Sequence, residues 1–402
     1  VPKRESTDIP MQAHSALPRW RAWAVAYLCA LAAFFPGQSI PPVLGLMMDE
    51  WSLNYAQGGS LMSYYSLPGA LMAIPGGMLA DRVGFKRLAV VCLATVLVGI
   101  AVLGSSTTFG GLVIARVLEG AGGFTAIVLS QRLVARSFAG KEIGRAMGLF
   151  TTANAVGSIT ALNVVGVTSA ALGWRAAVWM PAAVVIAAIA VVVGGAPSLE
   201  QDRTAGAAAG AAPPLRRLGL RQWLPTQAWL WFGMVLGPLI TFTPSFAQQA
   251  GYSPALANAL ASVVLLGSLA MAPVMGWLAD RNVKREWLIG AGALTVCLGL
   301  LAVPSSGNLI VPFVLAALGL GCIPAPLAVW TSAVFDKGLL GLAYGLNWMF
   351  SSAGYVVGSY LVGWVLDATG AYESGFLTMA VCGFVIVITV LVVNGLTVRR
   401  AG

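Results

Sequence analysis

Arg116 and Glu119 stand three positions apart in the otherwise uncharged stretch 110–131. Side chains three apart share a helix face, so a guanidinium and a carboxylate meet there. A charge inside an apolar helix is costly unless it faces a cavity or a partner. Two chemistries fit the pair: a proton-responsive or substrate-linked site, or a structural ion pair that fixes helix packing. The single histidine, His14, lies near the amino end, which argues against a histidine proton relay. The uncharged candidates are Gln38, Tyr64, Tyr65 and Asn154 in the first half, and Gln227, Asn258, Tyr344, Asn347 and Trp348 in the second. Such groups orient a ligand in an apolar cavity, or they glue helices together. Gln38, Asn154 and Asn347 lead, because they lie well within apolar runs. Pro36, Pro41 and Pro42 surround Gln38 and predict a bent or irregular first helix.

These residues need elements to hold them, and the composition limits the choice. Of 402 residues, 58% are hydrophobic and only 9% are Asp, Glu, Lys or Arg, against roughly a quarter in soluble chains. The mean hydropathy of +0.84 makes most of the length apolar. Runs such as 88–104 and 176–199 carry no charge and reach spanning length. They do not alternate as barrel strands do, so helices are expected. Twelve spans follow: 23–46, 56–79, 88–106, 110–131, 146–169, 175–195, 224–245, 255–279, 287–304, 309–333, 341–365 and 375–396.

The basic residues test that count. With both termini inside, 21 of the 23 Lys and Arg residues fall on the inner side, leaving only Arg116 and Arg175 elsewhere. This is the positive-inside pattern, and it predicts a multi-pass protein of the plasma membrane, the inner membrane in a bacterium. The net charge of +9 is then a topology signal and calls for no nucleic acid. The five cysteines sit in apolar runs without metal-ligand or redox spacing, so no metal is expected. No nucleotide-binding loop appears, which disfavours ATP-driven pumping, and no cofactor is implied.

The chain reads as two related halves. Gly77-Met-Leu-Ala-Asp81-Arg82 is echoed 199 positions later by Gly276-Trp-Leu-Ala-Asp280-Arg281. Gly148, Gly157, Gly166 and Gly173 are echoed 197 positions later by Gly345, Gly354, Gly363 and Gly370. Between the halves lies an Ala/Gly/Pro-rich segment typical of a linker. The expected organisation is a cytoplasmic tail over 1–22, a six-helix bundle over 23–196, a cytoplasmic loop over 197–222, a second bundle over 223–396 and a tail over 397–402. The fold class is an all-α membrane protein of twelve transmembrane helices in two pseudo-symmetric six-helix bundles.

The segment Gly77-Met-Leu-Ala-Asp81-Arg82-Val-Gly84-Phe-Lys86-Arg87 resembles the signature loop of the major facilitator superfamily. Arg116-Val-Leu-Glu119-Gly120-Ala-Gly-Gly123 resembles that family's fourth-span motif, and Gly173-Trp174-Arg175 resembles the entry to its sixth span. The resemblance implies secondary transport by alternating access, with a proton gradient as the default energy source. It also implies a gating role for Gly77, Asp81, Arg82, Gly84, Lys86 and Arg87, and for the degraded second copy at Asp280 and Arg281. The fifth-span region Thr151-Thr-Ala-Asn154-Ala-Val-Gly157-Ser lacks the Gly-Pro pair of antiporters, which lowers the expectation of drug/proton antiport. The expected partners are a small organic solute, protons and the lipid bilayer, with a monomer sufficient. A monoanion read by Arg116 and a neutral or amphipathic compound both stay open. So do symport, efflux antiport and facilitative uniport. A channel, a sensor or an enzyme is disfavoured, since neither a repeated charged ring nor a catalytic cluster appears.

Overall fold

The computed structural model describes residues 16–72, 83–138, 142–195, 219–280, 284–335 and 340–398. Gly77, Asp81, Arg82 and Arg281 lie outside the described residues. Asp280 closes a helix and Tyr344 lies in the first turns of another.

The first bundle begins with α1, Ala16–Gly37, a 3-10 turn, Pro41–Val43, and α2, Leu44–Trp51. It continues with α3, Tyr55–Met72, α4, Phe85–Ser105, and α5, Phe109–Ser137. Then come α6, Glu142–Thr160, a π-helical turn, Ala161–Val165, α7, Gly166–Leu172, α8, Trp174–Ala177, and α9, Met180–Gly195. The second bundle comprises α10, Leu220–Gln249, α11, Pro254–Asp280, α12, Arg285–Ala302, α13, Ile310–Gly321, α14, Pro324–Val334, α15, Leu340–Thr369, and α16, Tyr372–Val398.

Eleven helical stretches among the described residues are long and apolar enough to cross a membrane. The twelfth helix of the pattern is α3. Its serines, glycines and tyrosines lower its hydropathy, and it packs between α15 and α5 in the interior. Several boundaries differ from the sequence expectation, two of them on the first span. The first helix starts at Ala16 rather than 23, and the first span runs on to Trp51 through the proline turn. The second difference has a plain cause: Pro41 and Pro42 break the helix but are well placed to start a new turn.

Helices in lipid gain little from apolar burial against one another, so close packing through small residues must hold them. The repeated glycines show this in both halves. Gly157 lies against Phe34 and Phe35 of α1, and its echo Gly354 lies against Leu230 and Met234 of α10. Within the first bundle Ala32 of α1, Val96 of α4, Ala126 of α5 and Val185 of α9 share a core.

The turns 52–54, 106–108, 250–253, 303–309 and 370–371 gather at one end, here called distal. Tyr252 Oη accepts the Leu309 N–H at 3.2 Å, and Arg175 Nη1 donates to the Ser106 carbonyl at 3.5 Å. Gly84, in a left-handed conformation at φ 85°, opens α4 at the opposite end, with Lys86 and Arg87 exposed in its first turn.

Candidate functional site

The proline break in the first span leaves backbone acceptors without helical donors. Gly37 would bond the amide of Pro41 and Gln38 that of Pro42, and proline has no N–H. Ser39 turns back on Pro36 through its N–H at 3.1 Å and its hydroxyl at 2.8 Å. The rest of the break is filled from α5. Arg116 Nη1 donates to the Pro36 carbonyl at 3.1 Å and Nη2 to the Gly37 carbonyl at 3.0 Å. Its Nε donates to the Leu61 carbonyl of α3 at 3.3 Å. Nη1 also donates to Glu119 Oε2, and the guanidinium lies 4.5 Å from the centre of the Tyr65 ring. Arg116 is 0% exposed and Glu119 1%, and among the side chains whose burial is described they are the only buried charged ones. Glu119 Oε1 has no hydrogen-bond partner.

Tyr65 completes the group. Its hydroxyl donates to the Ala33 carbonyl at 2.9 Å and its ring packs against Phe124. Gly120 permits the arrangement, since a Cβ there would collide with the Tyr65 carbonyl. The glycines of the fourth-span motif thus let α3 and α5 approach closely enough for Arg116 to reach both.

Gln38 leads out of this clasp toward the other bundle. Its amide donates to the Tyr355 hydroxyl of α15 at 3.2 Å, while its Oε1 is buried without a partner. Toward the basic end, Gly69 of α3, Phe124, Ile127, Val128 and Gln131 of α5, and Trp348 of α15 line a cleft shared by the bundles. Trp348 is 37% exposed.

From Gln38 to the distal end the bundles meet along two seams. On the α3–α15 seam, Ser63 Oγ donates to the Val356 carbonyl at 2.7 Å. Farther out, Asp367 accepts the N–H groups of Tyr55 and Ala56, each at 2.7 Å. On the other seam, the π-helical turn presents Asn163, whose amide donates to Ser262 Oγ of α11 at 2.8 Å. Gly166 there faces Asn258, and its echo Gly363 faces the Tyr55 carbonyl; a Cβ at either site would collide.

The structure therefore brings Gln38, Tyr65, Arg116 and Glu119 into one group and leaves Trp348 on the adjoining cleft. It separates the other candidates. Gln227 donates to Thr389 at 2.6 Å and Asn347 to Thr331 at 3.1 Å, both within the second bundle. Asn154 is exposed and accepts from Ser158 at 3.2 Å, Asn258 lies in a seam, and Tyr64 is half-buried on α3. Sequence reasoning missed Tyr355, Asn163 and Asp367. Asn163, alone in the apolar run 161–166, carried the clearest signal.

The motif Gly173-Trp174-Arg175 braces the distal end. Trp174 Nε1 donates to Glu50 Oε2, and Arg175 pairs with Glu50 Oε1 at 2.7 Å while lying 4.4 Å from the Trp174 ring centre. Gly173, at φ 83°, makes the turn that places them.

Two related helical bundles joined by polar seams, with a small cleft between them, define a polytopic membrane protein of the secondary-transporter class. The Major Facilitator Superfamily model matches residues 26–260 and 239–400, so the chain belongs to that family. It is 24% identical over 378 residues to the lysosomal dipeptide transporter MFSD1 of Danio rerio, covering 87% of this chain and 81% of that one. It is 27% identical over 310 residues to the 3-(3-hydroxy-phenyl)propionate transporter of Escherichia coli K12, covering 73% and 75%. A solved bacterial homologue of the human lysosomal transporter Spinster, in an inward-facing and occupied conformation, superposes with a TM-score of 0.75 at 18% identity, covering 94% of this chain and 96% of that one.

Proposed function

We propose that this chain moves a small organic metabolite across the plasma membrane, the inner membrane in a bacterium, by proton-linked alternating access, with both termini cytoplasmic. The observation that carries this reading is the distribution of contacts between bundles. Two polar, breakable seams close the distal half, and toward the basic end a small cleft lies between Gly69, Phe124 and Gln131 of one bundle and Trp348 of the other. With the basic end inside, the structure is closed to the exterior. Opening the seams while closing the basic end would reverse access. The loop bearing Gly77, Asp81, Arg82, Gly84, Lys86 and Arg87 fits the second gate, with Asp280 and Arg281 as its weaker counterpart.

Within this reading, Arg116 holds the first span and Glu119 is the protonatable group. The guanidinium is occupied by three carbonyls and one carboxylate, so the substrate's polar groups meet Gln38, Tyr355 and Trp348 instead. The relatives named for a dipeptide and for a phenylpropionate make small organic carboxylates the first class to test. The experiment is uptake into proteoliposomes of a broad metabolite set, with and without an inward proton gradient. Saturable accumulation that needs the gradient is expected. Gradient-independent equilibration would assign uniport, and proton-driven loss of preloaded solute would assign efflux antiport.

A further inference from the structure

The start of α3 is complete only with a group from the other bundle. The first amides of any helix have no partner within it. Here Asn54 Oδ1 accepts the Gln57 N–H at 2.8 Å and Gln57 Oε1 accepts the Asn54 N–H at 3.1 Å, a reciprocal cap. Gly58 N–H goes to the Asn54 carbonyl at 2.9 Å. Tyr55 and Ala56 are left, and their amides point at the two carboxylate oxygens of Asp367, each at 2.7 Å. A carboxylate at a helix N-terminus gains both charge-assisted hydrogen bonds and the favourable end of the helix dipole.

The same spot is tied by neutral groups. Tyr55 Oη accepts from Gln249 Nε2 at 3.1 Å and from Tyr372 Oη at 3.3 Å. Three helices of the second bundle, α10, α15 and α16, thus converge on the first residue of α3. Among the described residues the other seam shows no counterpart to the carboxylate. The offset of 197 that relates Gly166 to Gly363 and Gly173 to Gly370 relates Asp367 to Ala170. Along that seam the groups are the Asn163 amide, Ser262 and Asn258.

We propose that Asp367 is a positioning residue of the transport cycle: it caps α3 from the opposite bundle when the distal end is closed, and it must release Tyr55 and Ala56 each time that end opens. This rests on the alternating-access reading. It makes the α3–α15 seam the one that sets the closed population, with the Asn163–Ser262 seam the weaker of the two.

The test uses the full chain in lipid nanodiscs, with spin labels introduced at Thr107 and Ser305 in a cysteine-free background. These residues lie in exposed distal turns of opposite bundles. Asp367→Asn keeps size and one acceptor but removes the charge and the second acceptor. The ratio of short to long label distances should fall roughly tenfold, since hydrogen bonds to charged groups are the stronger kind. Asp367→Glu should recover most of that ratio. Amide exchange at Tyr55 and Ala56 should quicken in the Asn variant and not in the Glu variant, a readout that a global folding defect would spread over every helix. A wild-type pair that responds to a proton gradient, with an unchanged ratio in Asp367→Asn, overturns the capping role alone. A wild-type pair whose distance never changes overturns alternating access and this role with it.

Discussion

Arg116 Nη2 donates to the Gly37 carbonyl at 3.0 Å, and the residue four positions beyond Gly37 is Pro41, which has no N–H to offer. The guanidinium replaces a helical bond that proline has deleted. It does so at the midpoint of the first span, where water is not at hand to satisfy the carbonyl. This relationship turns the charged pair of the fourth-span motif into part of the first span's backbone.

Arg116→Ala should therefore act on folding before transport. It strips donors from the Pro36, Gly37 and Leu61 carbonyls and leaves Glu119 buried beside them. Breaking a buried pair from one side costs roughly 3–5 kcal/mol. A marked drop in the thermal melting point of the purified protein is expected. Arg116→Lys should recover only part of it, because an ammonium cannot reproduce the planar fork that reaches three carbonyls. Full stability of the alanine variant would show that the clasp contributes nothing.

Glu119→Gln separates the two halves of the pair. The amide still accepts from Arg116, so the clasp and the melting point should largely hold. What is lost is the protonatable group. Accumulation driven by an inward proton gradient should fall at least tenfold while downhill equilibration of the same substrate continues. Accumulation at the wild-type level would place coupling at another residue.

The fold was legible at every point where one physical rule dominated. Spanning length, basic end-loops and the repeat offset led to twelve helices in two halves, and Pro36, Pro41 and Pro42 marked the break around Gln38. The site was legible in part. Arg116, Glu119 and Gln38 stood out as polar groups in apolar runs, but nothing in their spacing showed that Arg116 spends its donors on carbonyls of α1 and α3. Asn347 and Gln227 satisfied the same criterion and proved to be bonded inside one bundle. Tyr355 and Asp367 gain meaning only from partners 317 and 312 positions away. Sequence periodicity reports which face a residue occupies; it does not report which bundle that face meets.

Tyr355→Phe tests the Gln38–Tyr355 contact between the bundles. The change removes one hydroxyl and leaves the ring packed beside Gly237 of α10. Gln38 then loses its partner across the bundles. A neutral hydrogen bond contributes about 0.5–1.5 kcal/mol net, or roughly 2- to 12-fold in a binding constant. An increase of that size in KM, with little change in kcat, is the expected result in proteoliposomes. A fall in kcat at constant KM would instead make Tyr355 a seam residue with no part in substrate recognition.

Gly363→Val and Gly166→Val probe the two seams by the same means. A side chain at 363 meets the Tyr55 carbonyl, and one at 166 meets the Asn258 amide. Both lie where the bundles touch rather than inside either bundle, so each half should still fold. Neither seam can close around the added methyl groups. Both variants should favour the open distal end, reach the membrane in wild-type amounts, and lose most vectorial transport while retaining substrate binding. In Gly363→Val, labels at Thr107 and Ser305 would then report a single long distance, insensitive to the gradient. The two variants should also differ in degree. Gly363 lies beside the Asp367 cap, so valine there removes the stronger closing contact together with the close approach. At Gly166 the α3–α15 seam remains intact, and a minor short-distance population should survive. Equal distributions in the two variants would mean that the seams close as one unit, whatever chemistry each contains.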